Sequence, residues 1–373
     1  MTKTQPYFYF WTLVLGLLVF LNYMSPGVNA RDYKNLIFLV SGLFSLVCFG
    51  SRPCNRGHLL VFGTLFILSV FNQHHMWAKS VVVTICYIFV GFAVLNQMVH
   101  HFRYDSTMNK LQTVLGLAGV GQCLWVMAQG IGLNPYSIFT VVRPDLLPAN
   151  LPIIGSMGHW MVSGSFLAIV LPYMIRVNKL LILFYFGAMV FLPSGMPAAG
   201  LLSVAAFYTL FTYYKEKWFW IIILISLLFV GLYIYKYPFG IFYPSERIRI
   251  WSYTLSKFTT NFLIGDGPAY FNDYFAITFK GQFAENHRHP HNEFLMVYTS
   301  FGIIGLALMT YYYLRNLLSF KIDKYAALSL AGALAPLMFG FPLHTAGTAV
   351  PIIISLASII RKRDNFIRLR RFL

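Results

Sequence analysis

The sequence predicts an all-α integral membrane protein, a single polytopic domain over 1–373 with about twelve transmembrane helices, its chemistry on the non-cytoplasmic side. Three observations lead there. Hydrophobic residues make up 58% of the chain and charged residues only 10%, whereas a soluble domain carries about a quarter charged residues. The apolar runs are long and continuous rather than alternating, which selects helices over a closed barrel. Polar residues, scarce elsewhere, gather in one stretch between residues 236 and 290.

A hydrocarbon core of about 30 Å takes roughly 20 apolar residues to cross. Segments of this kind run 6–24, 34–50, 57–73, 77–99, 110–131, 159–176, 178–194, 197–214, 217–235, 291–314, 325–341 and 345–360. The first, Pro6–Met24, lacks a small-residue cleavage site and is followed by further spans. It reads as a transmembrane helix rather than a removable signal. The stretch Pro193–Pro197 reads as a hinge that breaks a helix pair. Cys48, Cys54, Cys86 and Cys123 lie in or beside apolar runs without CxxC spacing, so they read as small hydrophobes rather than a disulfide framework.

The net charge of +17 is distributed as membrane proteins distribute it, not as a nucleic-acid-binding surface. With the N-terminus inside, the inner set is Lys3, Arg52, Arg56, Arg103, Lys110, Arg176, Lys179, Lys215, Lys217, Arg315, Lys321, Lys324 and the basic tail 361–373. Against it stand Arg31, Lys34, Lys79 and Arg143 in the outer loops, apart from the long loop 236–290, which counts little. Both termini therefore face the cytoplasm, and the cations meet anionic headgroups of membrane lipids.

Loop 236–290 is too long to be a mere connector. In Ser245-Glu246-Arg247-Ile248-Arg249-Ile250-Trp251 the alternation and the tryptophan fit an interfacial segment. Two outward arginines run against the charge bias. A guanidinium pairs phosphate oxygens bidentately, so Arg247 and Arg249, with Arg288 and with Arg143 of the loop before residue 158, fit a cationic pocket for a pyrophosphate. The plainer reading is that they only anchor the segment. Gly265-Asp266-Gly267-Pro268 is a turn, its aspartate a cap.

The run from Glu285 to Glu293 holds His287, His289 and His291 at alternate positions directly before an apolar helix. Pro290 fits the first turn of that helix, so His291 sits near a positive helix end that favours a neutral imidazole, the form a general base requires. The same run could bind zinc if extended, or be an interface patch without chemistry. Gly155-Ser156-Met157-Gly158-His159 ends the other outer loop, where close helix packing is the favoured reading and His159 a candidate substrate contact.

His291-Asn292, nine residues and then Gly302-Ile303-Ile304-Gly305 reproduce a pattern of the O-antigen ligase family. Arg247-x-x-x-Trp251 and Gly265-x-Gly267 stand upstream in the order that the family tends to show. The chain resembles that family sharply over 245–305 and in architecture elsewhere. The resemblance implies a GT-C-like membrane fold in the bacterial inner membrane with 236–290 as a long periplasmic loop. It implies a metal-independent, inverting glycosyl transfer without cofactor, from a polysaccharide on undecaprenyl diphosphate to a sugar hydroxyl of lipid A–core. His291 would be the base or would orient the acceptor, Arg247 would hold the diphosphate, and Arg143 would correspond to a further arginine of the family. Arg249, Arg288, His289 and Asn292 join the expected substrate contacts by proximity. Where the family carries an asparagine-rich patch, this chain has Gly158-His159-Trp160. Two alternatives stay open: an O-antigen polymerase joining lipid-linked repeats, and a polysaccharide transporter or flippase. A transporter should carry ionisable residues and broken helices at mid-membrane, whereas these spans are almost charge-free.

Overall fold

A computed structural model describes residues 4–20, 30–49, 64, 78–101, 105–133, 153, 155–157, 159–213, 215, 246–257, 261–267, 290–340 and 342–372. Helices α1 (Thr4–Phe20), α2 (Ala30–Phe49), α3 (Ala78–His101), α4 (Asp105–Gly130) and α5 (Trp160–Val177) come first. A 3-10 turn (Lys179–Leu181) leads into α6 (Ile182–Phe191) and α7 (Met196–Tyr213). Then follow α8 (Glu246–Lys257), α9 (Glu293–Leu317), α10 (Lys324–Phe339), a 3-10 turn (Pro342–His344) and α11 (Ala346–Phe372). No strand occurs among the described residues.

Four of these helices are long and apolar enough to cross a membrane: α4 over Ser106–Gly130, α5, α7 and α9. Ten of the twelve predicted segments fall on helices; 57–73 and 217–235 lie outside the described residues, Thr64 excepted. Segment 178–194 departs from expectation. Its α-helix has 10 residues, about 15 Å at 1.5 Å per residue, too short to cross alone. The hinge is there: α6 stops at Phe191, α7 begins at Met196, and the Tyr185 hydroxyl closes the corner by donating to Pro197 O at 2.6 Å.

Helix α5 is the centre of the bundle. It is apolar on every face, and such a helix must be covered on every face; each residue from Met161 to Met174 is buried. Small residues let its neighbours close in, as they do between membrane helices. A Cβ on Gly332 of α10 would overlap Ala168 O, and one on Gly116 of α4 would stand 2.6 Å from Tyr173 O. Pro172 lacks the N–H that continues the helical ladder, and the Ser329 hydroxyl of α10 donates to the neighbouring Ile169 O at 2.8 Å. The Tyr173 hydroxyl lies 2.7 Å from Ser355 Oγ, which donates to Ser329 at 3.0 Å. These few hydroxyls pair with one another inside an apolar core, as burial demands.

Charged and amide groups meet at two opposite ends. At one, Asp323 caps α10 by accepting from Ala326 N–H at 3.2 Å. It also accepts from Ser358 at 2.5 Å and Gln112 at 3.2 Å, and pairs with Lys362 at 2.8 Å. Arg176 donates to Gln112, so one carboxylate ties together α4, α5, α10 and α11. All of these residues belong to the end predicted as inner. At the other end the buried Lys34 ammonium donates to Ser156 O at 2.8 Å. The Ser156 hydroxyl donates to Gln122, and Gly155 N–H donates to Gln129 at 2.8 Å.

Burial pushes the Asp323 carboxyl up, but the Lys362 charge and the hydrogen bonds of Lys362, Ser358 and Ala326 outweigh it and hold the carboxyl below its ordinary value. A depressed carboxyl contributes stability above its unfolded value and loses it as pH falls through the folded one. Thermal stability in detergent should therefore fall on acidification through and below the ordinary carboxylate range. Asp323→Asn should flatten that dependence and cost about 1–3 kcal/mol at neutral pH; an unchanged melting curve at both pH values would remove Asp323 from this role.

Candidate active site

The segment read as interfacial from its alternation is helical. Spacing of four, not two, governs it: Ile250 and Thr254 of α8 are buried, while Arg249, Tyr253 and Leu255 are exposed. Trp251 fastens this helix to the chain before α9. Its Nε1–H donates to Pro290 O at 2.7 Å, and its ring lies 6.0 Å from that of Phe339 at the end of α10. An indole joins an apolar body to one donor, which suits such a clasp. Residue 247 stands one helical turn before Trp251 on α8, so the Arg-x-x-x-Trp pattern is a single helical register.

Helix α9 begins at Glu293 with Asn292 as its N-cap, the Asn292 Oδ1 accepting from Leu295 N–H at 2.9 Å. The helix thus starts two residues later than expected, and Pro290 precedes the cap instead of entering the first turn. The amide oxygen of Asn292 already serves the helix end. His291 has φ 52° and is the only non-glycine residue in the left-handed region among the described residues. A side chain bearing a Cβ adopts that region at a cost, and such positions gather at functional sites.

The Gly-x-Gly turn and the glycine pattern of α9 prove to be two halves of one feature. At Gly302 (φ 64°, ψ −165°) helix α9 breaks, which leaves carbonyls on one side and N–H groups on the other without helical partners. The turn 261–267 supplies them. Asp266 N–H donates to Thr299 O at 2.9 Å and Gly267 N–H to Ser300 O at 3.1 Å. In return Ile303 N–H donates to Phe262 O at 2.9 Å and Ile304 N–H to Leu263 O at 3.3 Å. The approach leaves no room for a Cβ: one on Gly265 would stand 2.5 Å from Gly302 N, and one on Gly302 would overlap Leu263 O. Asp266 is a turn residue as expected, its Oδ1 accepting from Asn261 at 2.5 Å.

Two residues at this end escaped the sequence reading. The buried Glu293 accepts from Leu343 N–H at 2.8 Å, and its carboxylate lies 3.1 Å from His344 Nδ1. Asn35 of α2 brackets the same turn, donating to His344 O at 3.1 Å and accepting from Ala346 N–H at 2.9 Å. Glu293 had a signal, as a lone carboxylate at the mouth of an apolar helix. His344 had none beyond its position in the short link between the last two predicted spans.

His159 caps α5, its Nδ1 accepting from Met161 N–H at 3.1 Å, and its exposed ring stacks on Trp160. Arg249 is exposed on α8. Arg143, His287, Arg288 and His289 lie outside the described residues, as does the side chain of Arg247. The zinc reading falls on two of these histidines; among the described residues no three His, Cys, Asp or Glu side chains come together as a metal site. Fold and site together define an all-helical chain with helices long and apolar enough to cross a membrane, and with histidines, a carboxylate and a tryptophan clasp at one end. No known protein family matches the chain, and neither does any curated protein.

Proposed function

We propose that this chain is an O-antigen ligase of the bacterial inner membrane. It moves a polysaccharide from undecaprenyl diphosphate to a sugar hydroxyl of lipid A–core at the periplasmic face. The observation that carries this reading is the convergence of three distant sequence features. Trp251 bonds Pro290 beside His291, and the turn at Gly265–Gly267 pairs with the break at Gly302. Trp251 thereby supports the chain beside the strained His291, and the glycine turn supports the helix that follows it.

In the proposed step the acceptor oxygen attacks the anomeric carbon of the donor sugar. The bond from that carbon to the diphosphate breaks, and its electron pair leaves with the lipid carrier. His291 engages the acceptor hydroxyl, as its base or by orienting it. Arg247 pairs the diphosphate and stabilises the charge that grows there as the bond breaks. The chain crosses the bilayer about twelve times with both termini cytoplasmic. The separation of polar groups supports that topology: Asp323, Lys362, Gln112 and Arg176 meet at one end, and Lys34, Ser156 and Gln122 at the other.

A broken helix favours a transporter where the freed backbone groups face a ligand. Here the groups freed at Gly302 bond the turn 262–267, so the break serves packing. A polymerase that joins lipid-linked repeats would use the same chemistry with a different acceptor. Deleting the gene and running the lipopolysaccharide on a gel separates the readings. The expected result is core without O-antigen, together with accumulated long polymer on the lipid carrier. Core bearing a single repeat would instead assign a polymerase, and unchanged lipopolysaccharide would remove both.

A further inference from the structure

Among the described residues at this end, the imidazole that pairs with a carboxylate is that of His344, which no motif contains. Its partner Glu293 keeps 1% of its side chain exposed, whereas the His344 ring keeps 31%. A carboxylate only accepts, so the nitrogen 3.1 Å away, Nδ1, is the donor, and in the neutral ring Nε2 then carries the lone pair. Leu343 N–H fixes the carboxylate, and Asn35 fixes the backbone on both sides of the ring. Burying a carboxylate is costly and stabilises a fold little for its cost. Aligning an imidazole and stabilising its protonated form are what such a pair does well.

The turn that carries His344 borders, through Pro342 and Thr345, a small cleft whose other walls are Met161, Val162, Ser165, Gly340 and Thr348. The buried Thr345 hydroxyl, adjacent to His344, has no hydrogen-bond partner among the described residues. The elements packed on this turn thus bring apolar and hydroxyl side chains to it. Among the described residues the titratable groups at this end are Glu293, His291 two residues before it, His159 at the cap of α5, and the buried Lys34 of α2 next to Asn35.

Resting on the glycosyl-transfer reading, we propose that His344 is a catalytic residue of this site: its Nε2 takes the proton of the acceptor sugar hydroxyl, with Glu293 as its positioning residue. The acceptor O–H bond breaks as its oxygen joins the anomeric carbon; the proton ends on Nε2, and the electron pair of the broken bond between the anomeric carbon and the diphosphate oxygen stays on the diphosphate. His291 then orients the hydroxyl, and Thr345 offers a hydrogen bond to a neighbouring one.

The test uses the full-length protein in lipid nanodiscs, with undecaprenyl-diphosphate-linked polysaccharide and lipid A–core as substrates. Glu293→Gln keeps an acceptor for Leu343 N–H but turns an amide N–H toward the ring, which favours the wrong tautomer. We expect kcat to fall about 10- to 100-fold with little change in KM. The acid limb of the pH profile should move to lower pH, because no carboxylate favours the imidazolium. His344→Gln should lower kcat by about 10²- to 10⁴-fold. Wild-type kcat and pH profile in both variants would overturn the proposal.

A second measurement needs no substrate. Carbethoxylation of His344 by diethyl pyrocarbonate, followed by peptide mass spectrometry, should show a pH midpoint that drops in Glu293→Gln. An unmoved midpoint would also overturn the pair. If the wild-type protein transfers nothing while that midpoint still moves, the ligase reading falls and the aligned imidazole stands.

Discussion

His291→Ala and Arg247→Ala are expected to abolish transfer while leaving expression and membrane insertion intact. Loss of an acid–base or orienting group costs about 10²- to 10⁴-fold, and loss of a cation aimed at developing charge costs about 10²- to 10³-fold. The two variants should differ in how conservative changes fare. Arg247→Lys keeps the charge but loses the planar fork that grips two phosphate oxygens, so it should stay far below wild type. His291→Asn should also fail, because asparagine tolerates a positive φ but supplies no imidazole. That comparison separates chemistry from backbone strain, since His291 has φ 52°. Rates are read with the lipid-linked donor and lipid A–core in membranes holding matched amounts of each variant. Full activity in either alanine variant would take that residue out of its proposed role.

Gly302→Ala should be strongly destabilising. Two costs coincide there. The backbone sits at φ 64°, where a Cβ costs about 1–3 kcal/mol, and that Cβ would overlap the backbone carbonyl of Leu263. Backbone cannot yield as the tip of a flexible side chain can, so the turn 261–267 must lift away from α9. The groups that it satisfies, Thr299 O, Ser300 O and the N–H groups of Ile303 and Ile304, then lose their partners. The expected loss is on the order of 3 kcal/mol or more of stability, seen as a lower melting temperature and a poor folded yield in detergent. Gly265→Ala should behave alike, its Cβ standing 2.5 Å from Gly302 N. Gly195→Ala is the control, because its Cβ would meet nothing within 4 Å. Equal stability of Gly302→Ala and Gly195→Ala would show that the turn is not docked in the break.

Much of the local structure was legible because it depends on near neighbours. Asp266 sits in the turn that Gly265-Asp266-Gly267-Pro268 announced, whereas the caps Asp323 and Asn292, each accepting from the N–H three residues on, were not anticipated. The Arg247–Trp251 spacing was visible too, but its meaning was not. Alternating charge and the tryptophan suggested only an interfacial segment, and the structure makes it a helix that buries Ile250 and Thr254. Segment 178–194 looked long enough to cross because its composition stays apolar through the link between α6 and α7. Hydropathy alone does not register a corner that a Tyr185–Pro197 bond closes.

By itself the sequence determined that this chain is helical and rich in apolar segments, and that histidine and arginine cluster in one stretch between 245 and 291. Those properties follow from composition and short-range spacing, which act residue by residue. Only the tertiary structure decided that the glycine turn seals the break in α9, that Trp251 holds Pro290, and that Glu293 aligns His344. The partners in these contacts lie from 33 to 51 residues apart. No local periodicity encodes such a meeting; it exists only once the helices between have packed.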